Sequence, residues 1–247
     1  MFKWLYKLKY KNKLISNTLI GNTVETDFVM TTKSEYPASF KIKHKVPIRS
    51  QGSIGSCCSH SVVRAVEIQM NPKVFIEGSE LYHYFMARKF VNHTFPKNKG
   101  MTIRDGCITT KKYGFCPEKL WRYKPKDYNK IPTSLAKSFS TLFKHFYNTN
   151  YFRVITISDI KKSLSMGIPV VFGLRIDNNF MKCKGNWIPG GRNKGGHAQI
   201  ITGYDKNYFY IENSWGTRWG LKGRYKAKIS DIMKYGFDFF IIKLEQK

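Results

Sequence analysis

The stretch Gln51-Gly52-Ser53-Ile54-Gly55-Ser56-Cys57-Cys58-Ser59-His60 decides how the chain reads. It is a glycine- and serine-rich turn that runs into an apolar pattern. Two cysteines stand where the turn becomes a helix. A thiol at a helix N-terminus lies in the positive end of the helix dipole, which favours the thiolate, the nucleophilic form. A catalytic cysteine is therefore one reading. A buried cysteine pair at a helix start is the other, because cysteine is among the residues most often buried.

Working outward, Cys58, Val62, Val63, Val66 and Met70 recur at helical spacing and predict a helix over 56–70, with Arg64 and Glu67 largely outside its buried face. Asn71-Pro72 ends it. Ser79 with Glu80 starts a second helix over 81–91. A third is expected over 103–113 with Gly114 as its C-cap, and a fourth over 134–147 with Leu135, Phe139, Leu142, Phe143 and Phe146 on one face. The pattern then changes. Residues 151–157 alternate like a strand, Ser158-Asp159 caps a short helix, and 169–176 is an apolar β-type run. Residues 177–195 read as a long loop. Strands are expected over 197–204 and 208–213, joined by the hairpin signal Asp205-Lys206-Asn207, and over 223–229 and 237–244. A helical half (about 37–150) is thus followed by a β-rich half (about 151–247), the class is α+β, and a cleft between the halves is a natural site. Residues 1–36 form a basic arm.

The chain has 247 residues, of which 42% are hydrophobic, enough for a sizeable core. Five cysteines in no regular framework point to a reducing compartment or a fold that needs no disulfides. The formal charge of +27 would attract nucleic acid, anionic surfaces or acidic protein. No zinc-finger spacing, RRM signature or heptad run accompanies it. Cys107, Cys116 and Cys183 lack metal-ligand spacing, so no metal and no organic cofactor is expected. No signal peptide and no apolar run of membrane-spanning length is visible, and an intracellular location is expected (cytoplasm, host cell or virion).

The thiol needs a base. His197 follows Gly195-Gly196 at the mouth of a strand, and Asn213 ends the next strand of the hairpin. Antiparallel neighbours can bring the two side by side, where an amide oxygen fixes one imidazole nitrogen and leaves the other for the thiol. Trp215 and Trp219 could shield that bond from water.

These blocks carry a resemblance. Gln51 to Cys57, Gly196-His197-Ala198 and Asn213-Ser214-Trp215-Gly216-Thr217-Arg218-Trp219-Gly220 resemble the signature blocks of the papain-like cysteine proteases, over about residues 37–247. Histidine and asparagine follow Cys57 by 140 and 156 residues, in the order that family shows. The resemblance implies a two-lobed fold, a helical lobe and an antiparallel barrel-like β lobe, and peptide-bond hydrolysis through a thioester. It implies Cys57 as nucleophile, His197 as its partner in a thiolate–imidazolium pair and then as acid and base, Asn213 as the residue that orients the imidazole, and Gln51 as oxyanion donor. Gly100 or Met101 would pair with an extended polypeptide substrate. Ile54 stands where secreted members carry a disulfide cysteine, and Cys58 where many carry tryptophan. Together with Thr102-Ile103-Arg104-Asp105-Gly106 and Lys112 to Glu118, this is similar to the disulfide-free bacterial and viral branch. Cys58 reads as a packing residue, His60 as a partly exposed helix histidine, and Asp105 and Asp205 as cap and turn residues. The arm over 1–36 could cover the cleft. Against the peptidase reading stands a catalytically idle basic scaffold, motivated by the charge alone.

Overall fold

A computed structural model describes residues 18–21, 35–70 and 76–246. Helix α1 (Cys57–Met70) is its axis, and every residue but Gln69 is buried. A helix buried on all sides must lie between layers rather than on one. Here it packs on β5 (Asn193–Tyr204), on β8 (Gly236–Gln246), and on α2 (Glu80–Phe90) and α3 (Ile103–Tyr113). The apolar face read from the sequence is present, with Val62, Val63, Val66 and Met70 buried.

Arg64 and Glu67 correct the expectation that they lie outside. Both are buried because each has a partner from elsewhere in the chain. Arg49 reaches both Glu67 carboxylate oxygens at 2.6 Å, and Arg64 meets Glu212 at 2.6 Å. Glu212 also accepts Arg224 Nε at 2.8 Å and stands 3.3 Å from His44. Burial alone would raise the Glu212 carboxyl, but His44, Arg64 and Arg224 outweigh it and hold it well below the usual carboxylate range.

The other helices follow their caps. Ser79 Oγ accepts Tyr82 N–H at the start of α2, and Thr102 with Asp105 forms a capping box on α3. Asp105 is thus the cap residue expected, and Asp205 closes the hairpin turn by accepting Asn207 and Tyr208 N–H at 2.8 Å. Helix α4 (Ser134–Phe146) differs from its pattern. Ala136, Ser140 and Phe143 are its buried positions, whereas Leu135, Phe139, Leu142 and Phe146 are exposed.

The remaining strands are β1 (Phe40–Lys41), β2 (Tyr147–Arg153), β3 (Val170–Asp177), β4 (Asn186–Trp187), β6 (Tyr208–Glu212) and β7 (Arg224–Lys228). Their order is β2-β8-β3-β5-β6-β7-β4, with β1 on β5, and every pair is antiparallel except β4 with β7. Helices α5 (Ile157–Ser165), α6 (Asn178–Met181) and α7 (Ile229–Tyr235) complete the chain. Strand β2 begins four residues before the expected 151, and the stretch read as its end is instead the start of α5, capped by Thr156 with Asp159. Residues 177–195 hold α6 and β4 rather than a plain loop, and α7 was not expected. The fold is α+β, with the helices α1 to α4 first and, apart from β1, the sheet after them. One continuous core runs through both. All five cysteines are buried, and none is in a disulfide. Among the described residues no helix is long and apolar enough to cross a membrane.

Candidate active site

Cys57 opens α1 and is fully buried. His197 lies on β5 and Asn213 follows β6, so the hairpin brings them together as its register requires. His197 Nε2 is 2.7 Å from Asn213 Oδ1. The same oxygen accepts the Ser214 backbone N–H at 2.7 Å. A backbone N–H can only donate, so this atom is the amide oxygen, and Nε2 must carry the proton. Nδ1 is then the basic nitrogen of a neutral ring. The Trp215 ring lies 4.6 Å from the imidazole, centroid to centroid, and covers it. His197 is pushed down to about 4: burial disfavours the cation, the Asn213 bond opposes this, and His60 adds to it.

Gln51 is buried. Its Nε2 donates to Ile54 O at 3.0 Å, its Oε1 accepts the Ser214 hydroxyl at 2.7 Å, and its backbone N–H donates to Ser214 O at 2.8 Å. The segment that follows Asn213 therefore also orients Gln51, and a carboxamide N–H₂ keeps a second proton for another acceptor. Ser214 was inside the quoted block but had no role assigned. Ile54 is buried, and packing holds the turn where secreted relatives would use a disulfide.

Gly100 and Met101 form the wall beside this turn. Gly55 N–H donates to Asn98 Oδ1 at 2.9 Å, and the Tyr84 hydroxyl, with one proton to give, lies 2.8 Å from both that oxygen and Lys99 O. A Cβ on Gly55 would stand 3.3 Å from the Gly100 nitrogen, so glycine lets the turn lie against the wall. Neither contact was anticipated; Asn98 could have been signalled by its place two residues before Gly100, whereas Tyr84 comes from α2 and has no such signal.

His60 corrects an expectation of partial exposure. It is buried, with Nδ1 at 3.1 Å from Ser56 O and Nε2 at 4.0 Å from Glu80. Burial lowers its basicity, against the pull of Glu80. Below it, burial pushes the Glu67 carboxyl up to about 7 although Arg49 pulls it down. Cys58 is a packing residue, fully buried with Sγ toward Thr102 O at 3.4 Å. No group of His, Cys, Asp and Glu among the described residues is arranged to hold a metal ion.

Part of the arm lies in the site. Thr18 Oγ1 stands 3.0 Å from Cys57 Sγ. Thr18 N–H donates to Gly196 O at 3.1 Å, Leu19 N–H to Met101 O at 3.2 Å, and Gly21 N–H to Asp238 Oδ2 at 2.6 Å. Leu19 pairs with Thr102 as a parallel bridge. Residues 18–21 thus run from the His197 wall, across the thiol, to the Met101 wall, and Arg153 fixes their far anchor by meeting Asp238 Oδ1 at 2.7 Å. The rest of the arm, residues 1–17 and 22–34, lies outside the described residues.

The model of the Peptidase_C39-like family matches residues 43–235. The chain belongs to that family. An uncharacterized peptidase C1-like protein of Acanthamoeba polyphaga mimivirus, L477, is 30% identical over 213 residues, 78% of this chain and 68% of that protein. Pro-cathepsin H of Bos taurus is 27% identical over 209 residues, 76% of this chain but 58% of that longer protein. Among solved structures, xylellain, a cysteine protease from Xylella fastidiosa, matches with a TM-score of 0.84 at 26% identity, over 92% of this chain and 95% of its own. The protein is a papain-like cysteine peptidase, and the resemblance read from the three blocks is the right one.

Proposed function

We propose that the chain hydrolyses peptide bonds with Cys57, His197 and Asn213 as its catalytic set and Gln51 as oxyanion donor. Cys57 Sγ attacks the scissile carbonyl carbon as its proton passes to His197 Nδ1. The oxyanion that forms accepts from Gln51 Nε2 and from the Cys57 backbone N–H. Its collapse expels the amine, which takes the proton from Nδ1, and leaves a thioester. Water, deprotonated by Nδ1, then frees the acid. The observation that carries this reading is the His197–Asn213 bond with the Ser214 N–H on the same oxygen, because it fixes which nitrogen does the work. Gly100 and Met101 are the proposed backbone partners of an extended substrate, since Met101 O already holds Leu19 N–H in that place.

Residues 18–21 occupy the substrate's path, so the form described is a restrained one, and the arm 1–36 is proposed as a unit apart from the peptidase domain 37–247. Opening would admit water to His197 and relieve the burial that keeps it neutral. The idle-scaffold reading has no support beyond the net charge. The test is Cys57→Ala, expected to abolish both peptide hydrolysis and labelling by a thiol-reactive epoxide while His197 and Asn213 remain. Retained hydrolysis in that variant would refute the mechanism.

A further inference from the structure

His60 is a buried titratable side chain that the mechanism leaves without a task. It stands on α1, one turn after Cys57. Two contacts fix its ring. Nδ1 lies 3.1 Å from Ser56 O, a carbonyl oxygen that only accepts, so Nδ1 carries the proton. The Tyr123 ring packs edge-on against the imidazole at 4.7 Å between centroids. Burial disfavours a second proton. Nε2 is then an acceptor, and it has no hydrogen-bond partner among the described residues.

His60, Glu80, Asn213 and Ser214 line a cavity of about 10 Å³. That is about the room one water molecule needs. Three of these residues each bring one buried polar atom that meets no partner among the described residues: His60 Nε2, Glu80 Oε2 and Asn213 Nδ2. The residues are 4%, 1% and 3% exposed, so bulk solvent does not pair them. Three such atoms left unpaired would each lose their hydration without return.

The donor pattern selects the occupant. His60 Nε2 and the Glu80 carboxylate both accept, and Nε2 stands 4.0 Å from Glu80 Oε1, beyond a direct hydrogen bond. Arg49 Nη1 already takes Oε1, which leaves Oε2. Asn213 Nδ2 can only donate. Two acceptors and one donor around a water-sized space complement a water molecule, which gives two protons and accepts others. A cation would meet the Asn213 N–H₂ and the Arg49 and Arg64 guanidiniums that also line the cavity, and an anion would meet Glu80 and Glu212.

We propose that His60 is a positioning residue for Asn213 and acts through one bound water that joins His60 Nε2, Glu80 Oε2 and Asn213 Nδ2. The proposal rests on the peptidase reading and adds a residue to its machinery. Asn213 Oδ1 is held by His197 Nε2 and by the Ser214 N–H. The water holds the other end of the same amide. Half a turn of that amide would set Nδ2 against the Ser214 N–H and take it off the water, so the bridge opposes the flip. His60 also lies within electrostatic reach of His197, where a positive charge on it would oppose the imidazolium. A water that donates to Nε2 satisfies that nitrogen without a proton of its own.

The experiment has two parts. A high-resolution crystal structure of Cys57→Ala, with the whole chain present, is expected to show one density peak at hydrogen-bond distance from all three atoms. The peak should vanish in Cys57→Ala/His60→Leu. In the active protein, His60→Leu should lower kcat on a short fluorogenic peptide about three- to tenfold, the worth of one hydrogen bond, and leave KM within about twofold. His60→Gln, whose amide oxygen can accept in place of Nε2, should keep at least half of kcat. A cavity without the peak, or with a peak that refines as an ion, overturns the proposal. So does an unchanged kcat in folded His60→Leu, an equal loss in His60→Gln, or a loss carried by KM. Where His60→Leu fails to fold, the unbranched His60→Met takes its place, and the peak in Cys57→Ala decides on the water by itself. Absence of any hydrolysis by the wild type would instead overturn the peptidase reading, and the density peak stands apart from it.

Discussion

Helices α1 and α4 invert the ordinary rule in opposite directions. α1 hides Arg64 and Glu67, and α4 shows Leu135, Phe139, Leu142 and Phe146 to solvent. The difference lies in partners. Each buried charge on α1 meets an opposite charge from another segment, Arg49 or Glu212. On α4, Phe139, Leu142 and Phe146 line an open groove, and Leu135 is exposed outside its lining. Burial of a charged group is a statement about its neighbours, and the sequence of the helix alone does not carry it.

The comparison breaks first at Glu67. Glu67→Ala leaves Arg49 partly unpaired in a buried setting, a change that costs about 3–5 kcal/mol. Denaturant unfolding should show that loss, whereas a Lys137→Ala change on α4 should fall within about 0.5 kcal/mol. A small effect at Glu67 would mean that Glu80 and Glu77, which also meet Arg49, suffice without it.

His83 sharpens the same side of the comparison. It lies between α1 and α3, with Nδ1 at 3.0 Å from Ser59 Oγ and Nε2 at 3.1 Å from Gly106 O. Burial pushes it down to about 4. Its folded value lies below its unfolded value near 6.5, so its contribution is complete above about 6.5 and is lost as pH falls toward 4. Glu67 acts with the opposite sign between 4.5 and about 7, so a bare pH profile mixes the two. The difference between wild type and His83→Gln isolates the histidine. The wild type should lose up to about 3 kcal/mol relative to the variant between pH 6.5 and 4. A constant difference would refute the assignment.

How much of this was legible follows the range of each contact. The hairpin that joins His197 to Asn213 is local: a turn signal sits between two apolar runs, and a register within reach of two strands places the pair. Cys57 could be chosen over Cys58 only through those distant blocks. The start of α5 was misplaced by two residues because Thr156 and Ser158 both suit a cap; the three-residue step to Asp159 favours Thr156, which is the one used. Arg64 and Glu67 were misread because Glu212 lies 148 residues away from Arg64 and Arg49 precedes the helix. Residues 18–21 have no periodicity at all, since their order comes from the walls they bridge.

Within α4 the contrast can be drawn between neighbours. Phe143 packs on Phe115 at 4.4 Å between ring centroids, whereas Leu142 faces the groove. Phe143→Ala should cost about 3 kcal/mol as buried contacts are lost and a cavity remains. Leu142→Ala should stay within about 0.5 kcal/mol. Equal losses would mean that the row on α4 is part of the core.

The smallest effect is expected where the arm touches the N-terminal end of α1. Thr18 gives one hydroxyl contact to Cys57 Sγ, and a single hydrogen bond contributes about 0.5–1.5 kcal/mol. Thr18→Val keeps the shape and removes the bond. If the arm restrains the site, the open form should gain population about two- to tenfold, and kcat/KM on a short peptide should rise by the same factor. Removing residues 1–36 also deletes the contacts to Gly196, Met101 and Asp238 and should raise activity further. The order of the two effects is the informative part. A truncated protein that folds and turns over no faster than the full chain would mean that residues 18–21 leave the cleft without cost, and that α1, unlike α4, carries its own cover only as a passing contact.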